Sequence, residues 1–92
     1  ERPLPGGGVL IEDCYNANPL AMRAALADLA RREGRRVAVL ADMMELGDEE
    51  ERYHREVGAA AAEAGIDLLV AVGERARWYA EAAEGVETRH FP

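Results

Sequence analysis

Two short stretches concentrate the side chains that could do chemistry. The first is Glu12-Asp13-Cys14-Tyr15-Asn16-Ala17-Asn18-Pro19. Asp13 can accept hydrogen bonds from a ribose hydroxyl or hold a metal-bound water. Asn16 both donates and accepts, so it can orient an amide or a carboxylate, and Tyr15 offers a ring face and a hydroxyl. The plainer reading of the same residues is structural, with Asp13 in a turn and Asn18 capping a helix. The second stretch is Ala41-Asp42-Met43-Met44-Glu45-Leu46-Gly47, where Asp42 and Glu45 stand three apart. Paired carboxylates can do acid–base work or bind a cation. No base partner or metal-ligand pattern accompanies them, which favours a solvated loop with the two methionines packed beneath. Cys14 is flanked by carboxylates, which oppose a thiolate and with it a nucleophilic role. Cys14, His54 and His90 do not make a zinc spacing. His54 is expected on the exposed side of an acidic helix, paired with carboxylates.

The elements that must position these loops follow from apolar spacing. Residues 1–8 carry two prolines and Gly6-Gly7-Gly8 and read as a linker or lead-in turn with no element of its own. Val9-Leu10-Ile11 is a short buried strand. Asn18 as N-cap and Pro19 at the first helical position open a helix whose buried stripe is Met22, Ala25, Leu26 and Leu29. Val37 to Leu40 is a second strand. Asp48 and Glu51 have capping-box spacing ahead of a helix carrying Tyr53, Val57, Ala60, Ala61 and Ala64 on one face. Leu68 to Val72 is a third strand, Ala76, Tyr79, Ala80 and Ala83 a third helical stripe, and Val86 to Phe91 a fourth strand.

Strands alternating with helices, each strand too apolar for a sheet wet on one side, predict an α/β fold. The expected form is a three-layer, Rossmann-like, mostly parallel sheet with helices on both faces. Right-handed crossovers bring every strand-to-helix loop to one edge, where such folds bind ligands. Three loops meet there: Asp13 to Asn18, Ala41 to Gly47, and Gly73 to Glu74.

Composition bounds the function classes. A chain of 92 residues folds to about 5,200 Å² of surface, enough for one modest core and too small for two domains. The net charge of −7 argues against a nucleic-acid partner. No apolar run approaches a membrane span, so no membrane is expected. All 11 basic residues are Arg. Without Lys, a Walker A loop or a Schiff-base Lys is impossible within these residues.

At this point the two loops acquire a shared meaning. Asp13-Cys14-Tyr15-Asn16-Ala17-Asn18-Pro19, followed by Met22-Arg23-Ala24-Ala25, resembles the start of the C-terminal domain of the Mur ligases in their MurF branch. The usual loop there reads Asp-Asp-Ser-Tyr-Asn-Ala-Asn-Pro; Glu12 and Cys14 replace the first Asp and the Ser. Val39 to Gly47 is similar to that branch's Val-Leu-Gly-Asp-Met-Leu-Glu-Leu-Gly, and His54-Arg55-Glu56-Val57-Gly58 to a third segment. The resemblance implies an ATP-dependent amide-bond ligase of peptidoglycan synthesis, joining D-alanyl-D-alanine to UDP-N-acetylmuramoyl-tripeptide through an acyl phosphate. It implies ATP contacts at Asp13 and Asn16 and substrate contacts at Tyr15 and Asn18. Asp42 and Glu45 would line a loop at the same edge. It assigns no catalytic residue and no metal ligand to this stretch, since ATP and Mg²⁺ would be held mainly by a central domain. On this resemblance residues 9–92 are part of a C-terminal domain, cut short at its C-terminal end and inactive alone. The parent would be a cytoplasmic bacterial monomer.

Two other readings compete. A non-catalytic α/β interaction module would use the same layers with no nucleotide. A receiver-like domain also carries an acidic pair after its first strand, here Glu12-Asp13, but needs an acceptor Asp after the third strand and a Lys that this chain lacks.

Overall fold

The computed structural model describes residues 2–4, 8–13, 18–32 and 34–92, with the backbone alone at 2–4 and 8–13. Strand β1 (Arg2–Leu4) is followed by β2 (Gly8–Asp13), helix α1 (Pro19–Ala30), β3 (Arg36–Ala41), α2 (Glu50–Glu63), β4 (Leu68–Val72), α3 (Arg77–Ala82) and β5 (Glu87–Phe91). The strands form one sheet in the order β1-β2-β3-β4-β5. β2 to β5 run parallel and β1 lies antiparallel on β2. The open, mostly parallel α/β sheet is the one that the apolar runs imply.

Two features of the sheet and its layers differ from expectation. Residues Arg2–Leu4 do form an element: the chain doubles back and pairs Arg2 with Leu10 and Leu4 with Gly8. Proline is tolerated because an edge strand needs only half its backbone groups. The second difference concerns the layers. Among the described residues the expected cover on both faces is realised on one: α1 packs on α2 and α2 on α3, a single row. The reason is topological. Each parallel strand is laid beside the one before it, so crossovers of one hand return every helix to the same side.

That face holds the core. Met22, Leu26 and Leu29 of α1, Val57 and Ala61 of α2, and Ala76, Tyr79 and Ala83 of the α3 region pack against Ala38 and Leu40 of β3 and Leu69 and Ala71 of β4. Alternation along the strands sends Val39 and Val70 to the other face, where they are half-buried, and Val72 is exposed there.

Local chemistry sets where the helices begin. Asn18 stands in extended conformation before Pro19, and its Oδ1 accepts the Ala21 N–H at 2.8 Å, the expected cap. The capping box at Asp48 and Glu51 does not form. A 3₁₀ turn, Gly47–Glu49, leads into α2 and no side chain caps it. The acids remain useful there, because Glu50 and Glu51 occupy the positive end of the helix. Gly58 allows α2 and α3 to cross closely: a Cβ at that position would lie 2.3 Å from the Tyr79 carbonyl oxygen.

Candidate functional site at the carboxyl edge of the sheet

The register brings the strand ends together. Asp13, the last residue of β2, pairs with Leu40, and Ala41, the last of β3, pairs with Val72. The loops leaving β2, β3 and β4 therefore share one edge. Asp13 stands there by its backbone. Tyr15 and Asn16, with Cys14, lie outside the described residues. Asn18 is at the same edge, its side-chain oxygen committed to the α1 cap.

Asp42 turns inward. Its Oδ1 accepts the Ala76 N–H at 2.8 Å, and Arg75 Nη1 lies 3.5 Å from its Oδ2. Arg75 Nε also donates to Glu50 Oε2 at 2.7 Å. Hydrogen bonding to Glu50, with Asp42 behind it, raises the pKa of Arg75 above its ordinary value, so the guanidinium is a fixed cation between two carboxylates. The β4–α3 turn wraps this carboxylate so closely that only glycine fits at Gly73. Its φ is +116°, and a Cβ would meet Asp42 Oδ1 at 2.3 Å.

Asp42 and Glu45 therefore have different tasks rather than forming a working pair. Glu45 is exposed, with a left-handed φ of +61°. Beside it Met44 is 54% exposed, whereas Met43 is buried, so only one methionine packs beneath the loop. Leu20, in the first turn of α1, is 74% exposed at the same edge.

His54 is the largest departure from the sequence reading. It is not on an exposed face paired with carboxylates but fully buried. Nε2 accepts the Met43 N–H at 3.0 Å, and Nδ1 lies 2.6 Å from the Glu50 carbonyl oxygen. A backbone N–H can only donate, so Nε2 is the acceptor and Nδ1 the nitrogen placed to donate to the Glu50 carbonyl. Trp78 meets the ring edge-on at 5.6 Å between centroids and Tyr79 packs at 4.9 Å. The Tyr79 hydroxyl donates to the Ala41 carbonyl at 2.8 Å. Thus two backbone groups at the exit of β3 are each held by a helix side chain from below, one from α2 and one from α3.

The signal for His54 is present in the sequence. His54, Val57, Gly58 and Ala61 stand at i, i+3, i+4 and i+7, which is the buried stripe of α2. For Arg75 and Gly73 no such periodicity exists, because their partners, Glu50 and Asp42, lie far back along the chain.

The fit of the edge to its expected ligands can be examined on these contacts. Among the described residues no three His, Cys, Asp or Glu side chains gather as a metal site. Asp42 is occupied by Arg75 and a backbone N–H, a poor setting for Mg²⁺. A groove of about 680 Å³ along the outer side of α2 is lined by Glu49, Arg52, Arg55 and Glu56. Its arginines are engaged by acids: Arg52 by Glu49 and Glu56, Arg55 by Glu51 and Glu81. No helix among the described residues is long and apolar enough to cross a membrane.

The same fold recurs in known proteins. The sequence model described as "Mur ligase, glutamate ligase domain" matches residues 3–92. The UDP-N-acetylmuramoyl-tripeptide–D-alanyl-D-alanine ligase of Escherichia coli (strain K12) is 49% identical over 67 residues, covering 73% of this chain and 15% of that protein. The enzyme of the same name from Bacillus subtilis (strain 168) is 41% identical over 84 residues, covering 89% and 18%. A crystal structure of MurF from Acinetobacter baumannii superimposes with a TM-score of 0.77 at 38% identity, over 91% of this chain and 19% of that one. The chain thus spans less than a fifth of each of these relatives. With the domain match running almost from end to end and the fold in common, the chain belongs to the Mur ligase family.

Proposed function

We propose that this chain is part of the C-terminal domain of an ATP-dependent ligase. The parent enzyme adds D-alanyl-D-alanine to UDP-N-acetylmuramoyl-tripeptide in bacterial peptidoglycan synthesis. The observation that carries this reading is the 49% identity to the Escherichia coli enzyme of that name, over 73% of the chain. The domain fragment takes in strand β1 as well as residues 9–92.

The reaction couples two displacements. A carboxylate oxygen of the tripeptide attacks the γ-phosphorus of ATP, and ADP leaves. The resulting acyl phosphate has an activated carbonyl. The dipeptide amine attacks that carbon, loses a proton, and expels inorganic phosphate as the amide forms. Mg²⁺ would be held with the nucleotide by another domain, where it would screen phosphate charge. The residues of this chain bind and orient. Asp13 accepts from a ribose hydroxyl and Asn16 contacts the nucleotide. Tyr15 and Asn18 are assigned to binding the incoming dipeptide, and the Asp42–Glu45 loop to the same edge. The parent works as a cytoplasmic monomer.

The test is phosphate release by the full-length parent given ATP, Mg²⁺ and the UDP-linked tripeptide, with and without D-alanyl-D-alanine. Dipeptide-dependent release is expected. Its absence from folded enzyme would overturn the reading. One observation favours a second reading, a non-catalytic module: the oxygens of Asn18 and Asp42 are spent inside the fold. Asp13→Ala and Asn16→Ala in the parent separate the two. The ligase reading expects a loss of about 2–4 kcal/mol in kcat/KM; the module reading expects none.

A further inference from the structure

We infer that His54 is a positioning residue of the carboxyl-edge site: its buried ring holds the Asp42–Leu46 loop from beneath, so that the loop presents one conformation to bound substrate. This rests on the ligase reading for the substrate, but the anchor itself is read from geometry.

Four observations carry it. His54 is fully buried, and both of its ring nitrogens bond to backbone rather than to other side chains. An apolar residue would fill the same space, so packing alone does not call for imidazole. What imidazole adds is an acceptor for the Met43 N–H, which would otherwise be left unpaired beside the buried Met43 side chain. The bond crosses from α2 to the loop that leaves β3, eleven residues earlier. Above the anchor the chain takes its one left-handed non-glycine turn among the described residues, at Glu45, and exposes Met44 and Glu45. A side chain in that conformation is uncommon and persists where flanking contacts hold it. His54 at Met43, and Tyr79 at Ala41 on the strand side, are such contacts.

The role differs from mere core filling in what it predicts for kinetics. The experiment uses the full-length ligase. His54→Gln can place an amide oxygen near the position of Nε2 and accept from Met43, whereas His54→Leu fills the space without an acceptor. Ile66→Ala, a core truncation at the opposite end of β4, controls for stability. We expect His54→Leu to raise the KM for ATP or for the dipeptide roughly tenfold at a temperature where the enzyme is fully folded, with kcat changed less. His54→Gln should recover most of that loss, and Ile66→Ala should leave both KM values as in the wild type. Wild-type KM values in folded His54→Leu would overturn the inference, as would an equal rise in Ile66→Ala. If His54→Leu does not fold, His54→Asn, whose amide is too short to reach Met43, takes its place.

Hydrogen exchange gives a readout independent of the reaction. Amide exchange in residues 41–47 should quicken in the Leu or Asn variant while that of β4 stays slow. Unchanged exchange would remove the anchor even if the enzyme is a ligase. Quickened exchange in a protein without dipeptide-dependent turnover would keep the anchor and remove the ligase reading.

Discussion

Asp42 shows how a single carboxylate can look catalytic and be architectural. Its Oδ1 takes the Ala76 N–H and its Oδ2 faces Arg75. Asp42→Ala should cost about 1–3 kcal/mol, because it strands a backbone donor beside a turn built around the missing group. Asp42→Asn retains an acceptor and should cost less. Urea unfolding midpoints of the two variants check the order, and equal midpoints would deny the bond its role. The neighbouring site residues were legible to different degrees for physical reasons. Asn18 announces itself through Pro19, a local signal. The inward turn of Asp42 depends on a backbone N–H 34 positions away, which no local pattern encodes. His54 was misread because its type suggests solvent, although its spacing with Val57 and Ala61 marks the buried stripe.

Helices and strands obey simpler rules, and two substitutions test them. Gly58→Ala in α2 improves helix propensity by about 0.5–1 kcal/mol. It also drives a methyl to 2.3 Å from the Tyr79 carbonyl, and overpacking costs about 1–3 kcal/mol. Backbone cannot swing aside like a side-chain tip, so the clash wins and the melting temperature should fall. A rise would mean that α3 yields easily. At the start of α1, Asn18→Ala should cost about 1 kcal/mol and Asn18→Ser little. In the full enzyme the same pair separates capping from ligand contact. If Asn18→Ser keeps stability but loses activity, the amide touches substrate; if it keeps both, the residue is a cap. Strands β2 to β5 and all three helices were legible as apolar runs and stripes. The strand β1 was not, because three residues with a central proline carry no period. Nor does periodicity reveal which face a helix covers; that follows from strand order.

Over the whole molecule, the folded chain exposes 5327 Å², close to the roughly 5,200 Å² expected for its mass. The surface is compact in area although one sheet face has no helix layer among the described residues. Unfolding of the 92-residue chain should show a heat-capacity change of about 1.1–1.4 kcal/mol/K in calorimetry. A markedly smaller value would mean that part of the core is loose. The same isolated chain should show no amine-dependent ATP turnover. Reproducible turnover by the pure chain would place the reaction's machinery within these residues.

The unbroken strand order has a consequence for how the molecule comes into being. Each parallel strand docks beside the strand made just before it, and each helix closes onto the one made before that. Among the described strands none has to wait for a partner from far downstream, so their assembly can keep pace with synthesis. Newly emerged βα units would add to a growing edge one at a time, as a zip closes. Of the five described strands β5, with its exposed Phe91, would be the last tooth to engage.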